Sequence, residues 1–85
     1  MQIHVYAIKS LKDGRIYAGQ TFNTEIRLRQ HNKGVVRSTR YYRPWGLIFS
    51  HPCADRKEAR KLEKYLKSGC GKEFLKNICA HSSIG

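Results

Sequence analysis

Acidic side chains are scarce in this sequence. Six Asp and Glu stand against 17 Lys and Arg, a formal charge of +11 on 85 residues. The basic residues run from Lys9 to Lys76, so the excess belongs to the body of the chain and not to a tail. This balance points to a polyanionic partner, because neutralising phosphates releases counterions and drives binding. Cysteine is sparse as well. Cys53, Cys70 and Cys79 are odd in number and lack C-x-x-C spacing. That argues against a disulfide framework or a zinc site, and for free thiols in a reducing compartment. No secretory leader pattern and no apolar run of about 20 residues occurs. The expectation is a soluble, cytoplasmic protein with no membrane partner. Repeats and low-complexity linkers are missing too, and a chain this short has little room for a second core. We therefore expect one domain over residues 1–85.

What is present is 40% hydrophobic and 11% aromatic, enough for a small core whose residues must also serve any site. "QIHVYAI" reads as a strand of partial alternation. Asp13-Gly14 is the turn of a hairpin, and "RIYAG" the return strand. "FNTEIRLRQHNKG" reads as a helix, with Asn23 as N-cap, Glu25 in the first turn and Gly34 as the stop. "VVRSTRYYRPW" shows no period and reads as a loop, and "WGLIFSHP" is a third strand. Asp55 with Glu58 forms a capping box at the start of "DRKEARKLEKYLKSG", which Gly69 is expected to close. "GKEFLKNI" is a last short helix. The order predicts an α+β domain with a small sheet.

Three features carry candidate chemistry. Ala59, Leu62 and Leu66 mark the buried stripe of the second long helix, and Glu63 falls inside that stripe. A carboxylate there is costly unless paired or metal-bound, so a salt bridge and a metal ligand both stay open. Arg27 and His31 are four apart and share a helix face. Such a pair can grip a phosphate and relay a proton, and it is equally common on solvated helices. Tyr6 and Tyr17 lie on the two hairpin strands. Nearby cations would favour their phenolates, while the plain alternative is two half-buried strand aromatics. Whether they share a face depends on register, which the sequence leaves open.

Taken in order, these stretches resemble the GIY-YIG nuclease domain, especially its small single-domain bacterial members. "HVY" (His4-Val5-Tyr6) stands where the family has Gly-Ile-Tyr, and "YAG" (Tyr17-Ala18-Gly19) where it has Tyr-Ile-Gly. "EIRLRQHNKG" is similar to the family helix whose arginine falls on Arg27, and "STRYYRPWGLIF" resembles the stretch leading to the third strand. "KEARKLEKYLKSGCGKEFLKN" resembles the helix whose metal-binding glutamate falls on Glu63. The likeness spans about 3–78. His4 for glycine adds bulk near a sheet edge, and Ala18 for isoleucine removes core volume; the four chemical positions are intact.

The resemblance implies a central three-stranded antiparallel sheet flanked by helices, with both tyrosines facing a cleft and glycine leaving space beside them. It implies hydrolysis of nucleic-acid phosphodiesters, DNA ahead of RNA, with one Mg²⁺ or Mn²⁺ held by Glu63. A tyrosine phenolate, Tyr6 before Tyr17, would take a proton from water, and the other tyrosine would position that water or contact phosphate. Arg27 would stabilise transition-state charge. His31 would accept a hydrogen bond from the base tyrosine or contact phosphate. Lys12, Arg15, Arg37, Arg40 and Arg43 cluster in loops with Tyr41 and Tyr42, a mixture suited to backbone contacts and base stacking, and Thr39 joins Arg40 near the cleft. Trp45 is expected in the core. The competing expectation is a basic nucleic-acid-binding module that keeps the fold without turnover. A recruiting protein and a homodimer are both open.

Overall fold

The computed structural model describes residues 2–82, with side chains to Ile78. Cys79 and its expected free thiol lie outside the described side chains; Cys53 is a buried free thiol and Cys70 an exposed one. Strand β1 (Ile3–Ser10) and strand β2 (Ile16–Thr21) form the hairpin. They are followed by helix α1 (Thr24–Lys33), strand β3 (Trp45–Cys53), helix α2 (Arg56–Lys67) and helix α3 (Gly69–Ser82). The three strands pair antiparallel in the order β2-β1-β3. This is the α+β architecture the sequence leads one to expect. Among the described residues no helix is long and apolar enough to cross a membrane.

Alternation along β1 splits the molecule into two layers. Ile3, Val5 and Ala7 point to one face and pack with Ala18, Cys53, Ala59, Leu66 and Leu75. There α2 lies over β1 and β2, and α3 over β3. Tyr6 and Ile8 point to the other face and pack with Trp45, Tyr17, Leu28 and Tyr42, under α1. The smaller second layer contains most of the candidate chemistry. Trp45 is buried in it, as expected.

The hairpin closes through Leu11–Arg15, a five-residue loop. Gly14 takes the left-handed conformation there (φ 82°), and the buried Ser10 hydroxyl accepts from the Lys12 and Asp13 amides. The Asn23 side chain caps α1 by accepting from the Ile26 amide, and Gly34 ends it at φ 86°. Asp55 caps α2 through the Glu58 amide at 2.8 Å, while Glu58 reaches back to the Ala54 amide at 3.2 Å.

Two expectations are corrected. Gly69 does not close α2: the helix stops at Lys67, and Ser68 caps it in extended backbone. The Ser68 hydroxyl donates to Tyr65 O and accepts from the Gly71 amide. One side chain thus serves the end of α2 and the start of α3, so no left-handed glycine is needed. For the same reason the last helix begins at Gly69, two residues before the "GKEFLKNI" stretch. The loop before β3 also holds a single 3₁₀ turn, Arg40–Tyr42.

Candidate active site

Strand register decides the question of the two tyrosines. Tyr6 lies opposite Gly19 and Ile8 opposite Tyr17, so both phenols stand on the α1 face as diagonal neighbours. The central strand gives Tyr6 its burial, 1% exposed, while Tyr17 on the edge strand is half-buried. The glycine has a specific task. A Cβ at Gly19 would lie 2.9 Å from the Tyr6 oxygen and 3.1 Å from Cζ. Tyr6 therefore lies across β2, and only a residue without a side chain lets its oxygen reach toward the outer edge of the sheet.

Helix α1 brings up the next groups. Arg27 and His31, one turn apart, face the sheet. The buried His31 ring sits edge-on to Tyr17, centroids 5.2 Å apart, and its Nε2 is 2.8 Å from the Tyr6 oxygen. On the other side Nδ1 is 2.7 Å from Thr39 Oγ1. Thr39 is itself buried, and its carbonyl accepts from Trp45 Nε1 at 2.9 Å. All these groups are satisfied if Nδ1–H donates to Thr39, Thr39 donates to Val36 O, and Tyr6 O–H donates to Nε2. Burial first, and the Arg27 charge second, hold His31 down at about 4, so the ring is neutral. Burial likewise raises Tyr6 above the usual phenol value. Arg27 opposes that shift by hydrogen bonding and by its charge, and Tyr17 and Glu63 add to it.

Glu63 lies on α2 beside Ala59 and Leu66, half-buried, and its ion pair is with Lys67 Nζ, one turn on, at 3.6 Å. Its field reaches Tyr6. Among the described residues no group of three or more His, Cys, Asp or Glu could hold a metal. A single half-buried carboxylate fits a hard divalent ion that keeps most of its waters, such as Mg²⁺ or Mn²⁺, and fits zinc poorly. Next to these groups, at the end of β2, a cleft of about 370 Å³ is lined by Gln20, Phe22, Ile26, Arg27, Gln30 and Arg56. Arg27 is oriented there by a 2.9 Å bond to Gln30 Oε1, and Arg56 stands over the Phe22 ring.

A profile described as the GIY-YIG catalytic domain matches residues 2–76. The chain belongs to the GIY-YIG family. It is similar to a UPF0213 protein of Bacillus licheniformis, 37% identical over 65 residues that cover 75% of this chain and 67% of the relative. A UPF0213 protein of Staphylococcus haemolyticus is 33% identical over 76 residues, 88% of this chain and 92% of the relative. A third, from Desulfotalea psychrophila, is 40% identical over 57 residues, 65% of this chain and 52% of the relative. These names state no activity. No solved structure matches the chain. Membership places the protein in a nuclease family, and the arrangement of Tyr6, Tyr17, Arg27, His31 and Glu63 is this GIY-YIG domain's candidate centre.

The basic loops gather beside it in part. Lys12 Nζ donates to Tyr41 O at 3.4 Å, and Arg15, paired to Asp13 at 2.7 Å, stacks 3.6 Å above the Tyr42 ring. Arg40 lies against Tyr41 and Arg43 donates to Arg40 O. Arg37 is exposed, and no contact among the described residues ties it to them. Sequence reasoning passed over Asn32, which accepts from the Trp45 amide at 2.6 Å and donates to the Trp45 carbonyl at 3.1 Å. It anchors the strand end that carries Trp45, and a polar residue near a helix end gives no signal of such a partner 13 positions away.

Proposed function

We propose that this GIY-YIG protein hydrolyses nucleic-acid phosphodiester bonds, DNA in preference to RNA, by a metal-assisted mechanism. The observation that carries the reading is the Tyr6 oxygen, 2.8 Å from neutral His31 and laid across Gly19 within the fields of Arg27 and Glu63. At rest the pair is a neutral phenol and a neutral imidazole, because burial raises Tyr6 above the usual phenol value and holds His31 down at about 4. Tyr6 therefore acts after losing its proton to solvent, with the Arg27 hydrogen bond and charge favouring the phenolate. The phenolate oxygen takes a proton from the attacking water, while His31, fixed by Thr39, holds the Tyr6 ring in place. The water oxygen bonds to phosphorus as the bond to the leaving oxygen breaks. Tyr17 holds the water or a phosphate oxygen, and Arg27 offers its donors to the charge that builds on the phosphate. A Mg²⁺ or Mn²⁺ ion held by Glu63 would supply Lewis-acid stabilisation of the phosphate and leaving oxygen. Lys12, Arg15, Arg37, Arg40 and Arg43 contact the backbone on either side, with Thr39 acting from within.

The full burial of Tyr6 also favours a second reading, a nucleic-acid-binding module without turnover. One assay separates the two: labelled single-stranded, duplex and branched DNA and RNA, incubated with wild type and Glu63→Ala in Mg²⁺, Mn²⁺ or EDTA, with a gel shift alongside. Hydrolysis predicts metal-dependent cutting that Glu63→Ala loses while binding is kept. Salt-sensitive binding with no cutting in any metal would replace it with the binding module.

A further inference from the structure

The sheet face opposite α1 carries a second concavity, separate from the cleft around Arg27. It lies between the outer edge of β2 and the junction of α2 with α3, with a volume of about 290 Å³. Ile16, Ala18 and Leu66 form its floor, and Lys67, Lys72 and Lys76 stand around it. Gly14 and Arg15 close one end, and among the described residues no carboxylate lines it.

Lys67 pairs with Glu63 at 3.6 Å and Arg15 with Asp13 at 2.7 Å, whereas the two lysines of α3 are poorly compensated. Lys72 and Lys76 are one turn apart on α3, a like-charged spacing that disfavours the helix. Lys76 reaches Glu73 only at 4.0 Å, both exposed, and such a pair is worth little in water. Lys72 has no ion pair among the described residues. Three ammonium groups around an apolar floor suit an anion that carries a flat apolar ring. The volume sits at the bottom of the range of about 300–1,000 Å³ for ligand sites, enough for one ring system.

Position adds the decisive constraint. Lys67 follows Glu63 by one turn, about 6 Å along α2, and Arg56 precedes it by roughly 10 Å. The three share one stripe of α2. Arg56 lines the cleft with Arg27, and Lys67 lines the second concavity. A strand whose phosphate sits at Glu63 thus meets the concavity at a neighbouring nucleotide.

We propose that this concavity takes one unstacked base of a single-stranded nucleic acid, with its phosphates on Lys67, Lys72 and Lys76. Single strands and frayed ends are then the substrate class. The placement beside the reacting phosphate rests on the nuclease reading; the binding itself does not. A duplex keeps its bases stacked inside and offers only sugar and phosphate to a hollow, leaving the apolar floor without a partner. A single strand lays a base face on that floor while its backbone meets the cations.

The test is binding in EDTA, where nothing is cut. A fluorescein-labelled single-stranded DNA of about ten nucleotides, within the usual site sizes, is titrated by anisotropy against its own duplex over a range of salt. The single strand is expected to bind roughly tenfold tighter, a modest return for one stacked base. Lys72→Glu with Lys76→Glu is expected to remove that preference and to reduce the salt slope by about 1.4, two phosphates' worth. Lys57→Glu with Lys61→Glu makes the same charge change on exposed positions of α2 and should leave the preference intact. A 2-aminopurine walked along the strand should change fluorescence at one position, and Ile16→Trp, filling the floor, should abolish that change. Equal binding of strand and duplex, or equal losses in both lysine pairs, overturns the proposal. If no metal supports cutting yet the strand preference and its loss in the α3 pair stand, the nuclease reading fails and the base site holds.

Discussion

Part of this protein's loss of stability on acidification should come from His31. Folded, its ring is neutral with a pKa near 4, against 6.5 when exposed. Between those values the unfolded chain binds a proton that the folded chain does not, so stability rises with pH across that window. His31 thus contributes fully above about pH 6.5 and loses its contribution as pH falls toward 4. A difference of about 2.5 units at 1.36 kcal/mol each amounts to roughly 3 kcal/mol, a large share of the 5–15 kcal/mol typical of a domain. The assay is urea unfolding at pH 7.0 and pH 4.0 for wild type and His31→Gln. Carboxylates and the self-repulsion of a +11 chain act in both proteins, so the difference between the two slopes isolates His31. Wild type should lose about 3 kcal/mol more than the variant. Proton NMR of the wild-type ring gives an independent readout, with the His31 signals holding still from pH 7 to about 5. Equal acid losses in both proteins, or a ring that titrates near 6.5, would refute the buried neutral histidine and the hydrogen-bond assignment built on it.

Other perturbations separate chemistry from folding. Gly19→Ala places a methyl 2.9 Å from the Tyr6 oxygen; cleavage should fall about 100-fold, because displacing a reacting group by an ångström has that effect, while urea unfolding shows a loss of about 1–3 kcal/mol. Arg27→Ala should lower kcat by roughly 100- to 1,000-fold, with unfolding free energy within about 0.5 kcal/mol of wild type. Gly71→Ala sets a Cβ against the Tyr65 carbonyl and Leu66 Cα, where α3 crosses the end of α2; it should cost about 3 kcal/mol or more by urea unfolding.

Much of the fold was legible because its signals are local. Asn23 and Asp55 cap the helices they were expected to cap, and apolar alternation marked the strands. Glu63 stood out because a carboxylate breaks an apolar stripe, and it does lie half-buried there. Other features depend on parity or on distant partners. The shared face of Tyr6 and Tyr17 required the length of the Leu11–Arg15 loop, since one residue more or less would turn Tyr17 away. Thr39 sits in a stretch without period, and only the family resemblance pointed to it; its hydrogen bond to His31 comes from tertiary folding. The Gly69 expectation failed because Ser68 does by side-chain hydrogen bonds what glycine does by backbone freedom.

The small core explains why the site and the fold are hard to separate on the α1 face. An 85-residue chain buries little, and here Tyr6, His31, Thr39 and Trp45 are among its most buried residues while also forming the hydrogen-bonded chain beneath the cleft. Removing any member of that chain leaves a buried polar partner unsatisfied, which costs stability as well as function. Arg27 and Glu63 differ. Both are only half-buried, and each acts on Tyr6 from a helix that other residues anchor, Leu28 and His31 on α1 and Ala59 and Leu66 on α2. On the proposed nuclease reading, substitutions at these two positions read out chemistry, and substitutions along the buried chain read out the coupling between chemistry and fold.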